Sequence, residues 1–321
     1  MVRSAFCVLQ IGKGRVGISL TTPESSGTSA PAEVGPAIAR EVVRVRLKEF
    51  REASELTAAD VIAHTGWSPS KLARIEKGEV TVQPLEVRVL LQFYGVDDEQ
   101  MVGSLTRLSQ ASRSRQWYSK HGLAGDFQRF VAYEFEATTI NVWQIQFVPA
   151  LVQTEEYAHA ITALAMRRSP DDREVGVRVK LRMDRQEAFQ QRLAKPNAPR
   201  IVAVLDESIL RRPVGGRDTM RRQLDHILTL AEQPEVYTFA VVPLGLEHNS
   251  GVGGNFELLQ FAPHDHGDVI FFEAAGGTDD LATEKSVTAL YRAIMQDLLD
   301  YGRTGEDALD MIRAARDSMA V

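Results

Sequence analysis

Residues 56–78 read LTAADVIAHTGWSPSKLARIEKG, and the shape of this stretch sets the first half of the fold. It reads as two short helices joined by a tight turn. Thr57 is placed to cap the first, its hydroxyl accepting from the helix's orphan N–H groups. Val61, Ile62 and His64 lie on that helix, and Thr65-Gly66 turns the chain, glycine tolerating backbone angles that other residues resist. Ser68 caps the second helix, with Pro69 at its first position, where a missing N–H costs nothing. Leu72 and Ile75 fall on one face; Lys71, Arg74 and Lys77, also three apart, fall on another. Gly78 stops the helix. A short helix with a basic outer stripe, propped on a second helix, has the shape of a major-groove reader. From spacing alone, an ordinary hairpin inside a helical domain fits equally well.

The surrounding residues bear on that choice. Pro36 opens a helix running to Ala53, with Ile38, Val42, Val45 and Phe50 toward its inner side and Arg40, Arg44 and Lys48 outside. Pro84-Leu85 opens a fourth helix, with Val87, Leu90, Leu91 and Tyr94 inward; Asp97 begins a fifth, carrying Met101, Leu105 and Leu108. With Gly66, Ser68, Ile75, Glu76 and Gly78 where the pattern wants them, residues from about Ala37 to Val96 resemble the Cro/repressor class of helix-turn-helix, the xenobiotic-response-element type of bacterial regulator. The resemblance implies double-stranded DNA as partner, with Thr57, Ser68, Pro69, Ser70, Lys71, Arg74 and Lys77 facing it. It also implies a structural ion pair between Arg51 and Glu76, and a homodimer on an inverted repeat. One departure is Ala58, which stands where the class commonly has a DNA-touching glutamine.

The net charge of −6 looks wrong for a DNA binder until it is divided along the chain. Residues 36–120 carry thirteen basic and eleven acidic side chains, whereas residues 121–321 carry twenty-one and thirty. The acidity is C-terminal. The mildly basic N-terminal part predicts weak, salt-sensitive non-specific binding, which a dimer would reinforce. A lone cysteine, Cys7, rules out an internal disulfide and a cysteine metal cluster. No apolar run reaches the ~18 residues of a membrane span, and the N-terminus lacks a signal-peptide pattern, so the expected location is cytoplasmic.

With 321 residues, two domains are expected. Residues 1–34 read as a disordered extension. They contain Gly12-Lys13-Gly14-Arg15-Val16-Gly17, a literal dinucleotide fingerprint, but a Ser/Thr/Pro-rich stretch follows where a helix is required. The helix-turn-helix domain spans 35–110, with a junction at Ala111-Ser112-Arg113-Ser114-Arg115, and an α+β domain for sensing or partner binding spans 115–321. Its expected elements are a helix from Trp117 to Ile140, helices capped by Thr154 and started by Asp171, and strands at 201–205, 236–242, 256–261 and 269–273. Helices over 219–231, 284–299 and 306–319 complete it. The fold class is thus a mainly α five-helix domain followed by an α+β domain with a small sheet covered by helices.

This second half is also similar to a known family. Phe135-Glu136-Ala137, the run Val148-Pro149-Ala150-Leu151-Val152-Gln153-Thr154-Glu155-Glu156-Tyr157-Ala158, Arg185-Gln186, Leu205-Asp206-Glu207, Leu210-Arg211-Arg212-Pro213-Val214-Gly215-Gly216, Gln223-Leu224 and Gly253-Gly254-Asn255-Phe256 resemble the uncharacterised C-terminal domain of actinobacterial WhiJ-like regulators. Ala150 replaces a usual glycine and Val152 a usual leucine. The resemblance implies transcription regulation with a small partner protein encoded by an adjacent gene, in an antitoxin-like arrangement.

Other site readings are weaker. His264-Asp265-His266 with Asp268 and His248 has the composition of a metal half-site, but polar turns collect the same residues, so no metal is expected. Glu136, Arg185, Gln186, Asp206, Glu207 and Arg211 read as a structural ion-pair network tying the early helices to the sheet, ahead of a ligand pocket and further ahead of a catalytic acid pair, because no nucleophile motif or phosphate loop accompanies them. No catalytic residue and no cofactor is expected. The leading function is a sequence-specific DNA-binding regulator whose recognition helix is 68–77. The alternative is an antitoxin-like interaction scaffold without base readout.

Overall fold

Helix-start signals place the first five helices. In the computed structural model, which describes residues 35–123, 125–195, 197–261, 267–273 and 280–319, α1 spans Pro36–Ala53 and α2 Ala58–Thr65. Next come α3 (Pro69–Glu76), α4 (Pro84–Phe93) and α5 (Glu99–Ala111). Prolines open α1, α3 and α4 at their first turns. Val43, Leu47, Val61, Leu72, Ile75, Val87, Leu90, Leu91 and Leu105 close into one small core. The extension and its glycine fingerprint, within residues 1–34, lie outside the described residues.

Helix α1 differs from a one-faced amphipathic helix. Val43 and Leu47 join the core of the five helices, but Ala37 and Ile38 join the core of the C-terminal half. Val45, expected inward, is only half-buried. Two cores claim two sides of the same helix, which blurs a single apolar stripe. Residues beyond the extension accordingly form one compact unit.

The expected helix from Trp117 to Ile140 is three elements. Trp117–His121 is a 3-10 turn, α6 spans Gly125–Glu136 and β1 spans Thr139–Gln144. The helix-to-strand change falls at Ala137-Thr138, with no glycine or proline to mark it. The chain continues through α7 (Glu155–Met166), α8 (Arg173–Leu193), β2 (Arg200–Asp206), α9 (Glu207–Arg211), α10 (Arg217–Leu230) and β3 (Tyr237–Val242). It ends with β4 (Phe256–Gln260), β5 (Val269–Phe272), β6 (Asp280–Ala282), α11 (Lys285–Tyr301), β7 (Arg303–Thr304) and α12 (Gly305–Ser318).

These strands form one seven-stranded sheet in the order β6-β5-β4-β1-β2-β3-β7. Its centre is parallel: Val142 pairs with Ala203, and Ala203 with Phe239. Helical crossovers separate β1, β2 and β3 in sequence, as parallel neighbours require. The outer strands are antiparallel. Side chains alternate between two cores. Ile201, Ala203 and Leu205 meet Phe189 of α8, Leu224 and Ile227 of α10, and Ile312 of α12. Val202 and Val204 share the opposite core with Trp143 and with Met295 and Leu298 of α11. Burial on both faces explains the continuous apolar run of β2. The sheet has more strands than the four legible in sequence because β1 hides behind α6 and β6 and β7 are only three and two residues long.

Candidate nucleic-acid interface and its anchorage

The turn between α2 and α3 is built as its residues dictate. Gly66 adopts φ +69°, the left-handed region, and its N–H closes α2 on the Ile62 carbonyl at 2.9 Å. Ser68 Oγ accepts from Lys71 N at 3.2 Å. Leu72 and Ile75 are buried beneath α3, while Pro69, Ser70, Ala73, Arg74 and Lys77 are exposed and Lys71 is half-buried. The outer face of α3 therefore gathers Ser68, Pro69, Ser70, Lys71, Arg74 and Lys77 along one short helix.

Two of these cations have partners. Lys71 Nζ lies 2.5 Å from Glu86 Oε1 and 4.1 Å from the centre of the Trp67 ring. Arg74 Nε lies 3.3 Å from Glu79 Oε2, with both side chains well exposed. Such exposed pairs are worth about 0.2–1 kcal/mol and exchange readily for a phosphate or a base edge. Thr57 is differently engaged. Its Oγ1 donates to Asp60 Oδ2 at 2.6 Å and accepts from Asp60 N, so its hydroxyl is committed to a capping box.

The back of α3 is tied to α1. Arg51 Nε is 3.3 Å from Glu76 Oε1, close enough for charge attraction but not aligned as a hydrogen bond. Arg51 Nη1 also donates to the Leu56 carbonyl at 3.0 Å. The basic stripe on α1 faces inward rather than toward solvent. Arg44 Nη1 donates to the Glu76 carbonyl at 3.0 Å, and Arg40 reaches Thr81 Oγ1 and the Ser112 carbonyl. Only Lys48 of that stripe is exposed. The end carbonyls of α3 and the loop after it need donors, and α1 supplies them.

The same helix is gripped by the C-terminal half. The carboxylate of Glu136, at the end of α6, accepts from Ala37 N at 2.7 Å and from Ile38 N at 2.8 Å, capping α1 from another part of the fold. Gly35 makes room for it, since a Cβ there would collide with Glu136 Cδ. Burial pushes the Glu136 carboxyl up to about 7, against the pull of the two N–H groups and of Arg192 and Arg40. One turn on, buried Glu41 pairs with Arg44 and accepts from Tyr133 Oη at 3.0 Å. Burial raises the Glu41 carboxyl, but the Arg44 and Tyr133 hydrogen bonds and the charges of Arg44 and Arg129 outweigh it and hold it below the usual range. Sequence reading singled out Glu136 without its partner and missed Glu41 and Tyr133. The available signal was the Gly35-Pro36 opening and the Glu41/Arg44 spacing.

The other polar residues of the C-terminal motifs do not converge. Arg185 forks onto Glu134 at 2.9 and 2.5 Å, both side chains buried. Gln186 donates to the Ala150 and Gln153 carbonyls, Asp206 caps α9, and Glu207 holds Arg211 and Leu244 N. Among the described residues no group of three or more His, Cys, Asp or Glu is arranged to hold a metal. His264, Asp265 and His266 lie outside the described residues, and Asp268 pairs with Arg292. No helix among the described residues is long and apolar enough to cross a membrane.

Neither curated proteins nor solved structures give a match to this chain. Residues 43–102 match a family described as a helix-turn-helix domain, which covers α2, α3 and the helices that brace them. Residues 127–314, more than half of the chain, match the Domain of unknown function (DUF5753), and the chain belongs to that family.

Proposed function

We propose that the protein is a sequence-specific transcriptional regulator of the Cro/repressor type, with α3 and its cap, residues 68–77, in the DNA major groove. The observation that carries this reading is the outer face of α3, where Ser70, Arg74 and Lys77 stand exposed on a helix whose other face is buried. Ser68 takes phosphate: its Oγ accepts from Lys71 N, which leaves the hydroxyl proton to donate. Thr57 contributes through the start of α2, where backbone N–H groups point outward. Arg74, one turn in, makes a bidentate contact to guanine O6 and N7. Pro69 and Ser70 touch the groove wall, and Lys71 and Lys77 meet phosphate. The protein works in the cytoplasm, without catalysis, as a homodimer on an inverted repeat. Its DUF5753 half, like that of WhiJ-like actinobacterial regulators, receives the signal, either a ligand or a small protein encoded next door.

Selection of binding sites from random DNA tests this. Arg74→Ala costs about 1–3 kcal/mol on the operator and relaxes one base position per half-site. Lys77→Ala weakens all sequences alike and flattens the salt dependence. An unchanged consensus with Arg74→Ala, together with an altered one for Lys77→Ala, overturns the assignment. The second reading, an antitoxin-like scaffold without base readout, draws on the Lys71–Glu86 and Arg74–Glu79 pairs, which occupy two cations of the stripe. Failure to select any consensus favours it.

A further inference from the structure

Two arginines lie beneath the C-terminal end of α3, one from each half of the chain. Gly78, just after α3, is buried and has φ +75°. A Cβ built on it would stand 3.3 Å from Arg44 Cδ of α1, and 3.6 and 3.7 Å from Arg129 Nη2 and Nε of α6. The bare backbone of Gly78 therefore rests on both side chains. Each cation sits at the carbonyl end of a helix, which is its negative end. Arg129 is itself held, since its Nη1 donates to Asp126 Oδ1 at 2.8 Å. The helix that carries it has two faces. Arg129, Tyr133 and Glu136, four and three apart, meet the end of α3 or α1. Phe130 and Glu134 are fixed to the C-terminal core, where Phe130 stacks on Phe271 of β5 with ring centres 3.8 Å apart and Glu134 pairs with buried Arg185 of α8. Sliding α6 breaks those close-packed contacts, so Arg129 is a fixed point for the end of α3.

We propose that Arg129 is a positioning residue for base readout: through it the C-terminal half seats the end of the recognition helix, while Arg129 itself touches no DNA. The proposal rests on the reading of α3 as the recognition helix and deepens it. Arg74 stands in the last turn of that short helix, so its direction follows the seated end. The Arg129 side chain is only 17% exposed, which keeps it behind α3. A side chain that reads a base must be held within about 0.5 Å of its productive place, whereas phosphate contacts carry no sequence information. Loss of Arg129 therefore costs specific binding and spares non-specific binding.

The test compares the full-length wild type with Arg129→Ala, at a temperature where both are fully folded. Amide exchange, measured without DNA, follows the N–H groups of Lys77, Gly78 and Glu79, which close α3 on the carbonyls of Ala73, Ile75 and Arg74. Arg129→Ala speeds their exchange by about tenfold and leaves the α4 amides as they are. Binding is then measured on the selected operator and on random duplex across a salt series. Arg129→Ala loses about tenfold on the operator, stays within about twofold on random duplex and keeps the salt slope. Arg129→Lys, which retains a cation beneath α3, loses less. Unchanged exchange, or unchanged operator affinity, overturns the proposal. So does a loss on both duplexes with a salt slope lower by about 1, because that is the mark of a direct phosphate contact. If Arg129→Ala does not fold, Asp126→Ala removes the tether of the guanidinium, and unchanged exchange at Gly78 in that variant overturns the seat equally. A wild type that selects no consensus removes the reading of function instead, and the exchange arm still decides whether Arg129 seats α3.

Discussion

Replacing Glu136 by Gln isolates the charge that caps α1 from the shape of the side chain. The carboxyl is raised from 4.5 to about 7, chiefly by burial. The sign follows from proton binding. Between those values the folded protein holds a proton that the unfolded chain has released, so stability is fully present below pH ~4.5 and is lost as pH rises through ~7. At about 1.36 kcal/mol per pKa unit, this group alone lowers stability by about 2.5 kcal/mol between pH 5 and pH 8. The amide introduced by Glu136→Gln does not titrate. The difference in unfolding free energy between wild type and Glu136→Gln therefore shifts by about 2.5 kcal/mol across that range, in favour of the variant at high pH. All other titrating groups, including Glu257, which burial raises to about 8, are common to both proteins and cancel. Urea unfolding at pH 5, 6, 7 and 8, with single transitions of equal slope, gives the numbers. Parallel stability curves for the two proteins would refute the reasoning, because they would mean that Glu136 ionises normally in the folded state. Amide exchange supplies a local check: a glutamine side chain offers one acceptor oxygen, so one of the Ala37 and Ile38 N–H groups loses protection.

Three further substitutions probe the scaffold. Arg185→Met strands the buried Glu134 carboxylate and costs about 3–5 kcal/mol; Glu134→Leu in the same chain restores most of it, and a single variant that melts with wild type refutes the pairing. Arg51→Met removes the attraction to partly exposed Glu76 and the bond to Leu56, for about 1–2 kcal/mol, between the exposed and buried limits; equal melting of wild type and variant sinks it. Gly251→Ala drives a methyl into Trp143 Nε1, which donates to the Gly251 carbonyl at 2.8 Å, and costs about 1–3 kcal/mol with a shift in tryptophan emission; unchanged emission and stability contradict the close approach.

Much of the five-helix half is legible because its punctuation is local. Pro36, Pro69 and Pro84 fall at helix starts, and Thr57, Ser68 and Gly66 at caps and turns. The strands β2 and β3 announce themselves by apolar runs ended by Asp206 and Pro243. The strand β1 is hidden because Phe135-Glu136-Ala137-Thr138 passes from helix to sheet without a breaker. The outer face of α3 is legible as a set of residues, but its ion pairs are not, since Glu86 comes from α4 and Glu79 from the loop between α3 and α4. The grip on α1 is least legible. Glu136 lies 99 residues from Ala37, and no local pattern tells a carboxylate that its partner is a distant helix start.

The two grips on α1 also define a lever. Glu136 holds its first turn, and the Glu41–Tyr133 contact lies about one turn further on. From Glu41 to Ala53, near where Arg51 meets α3, twelve residues at 1.5 Å make an arm of about 18 Å. If the first grip opens and the second serves as a fulcrum, a swing of about 10° carries the far end through about 3 Å, close to the ~3.4 Å rise of one base pair. The length of the arm sets the gain: each degree of tilt about the Glu41 contact displaces the α3 end by about 0.3 Å.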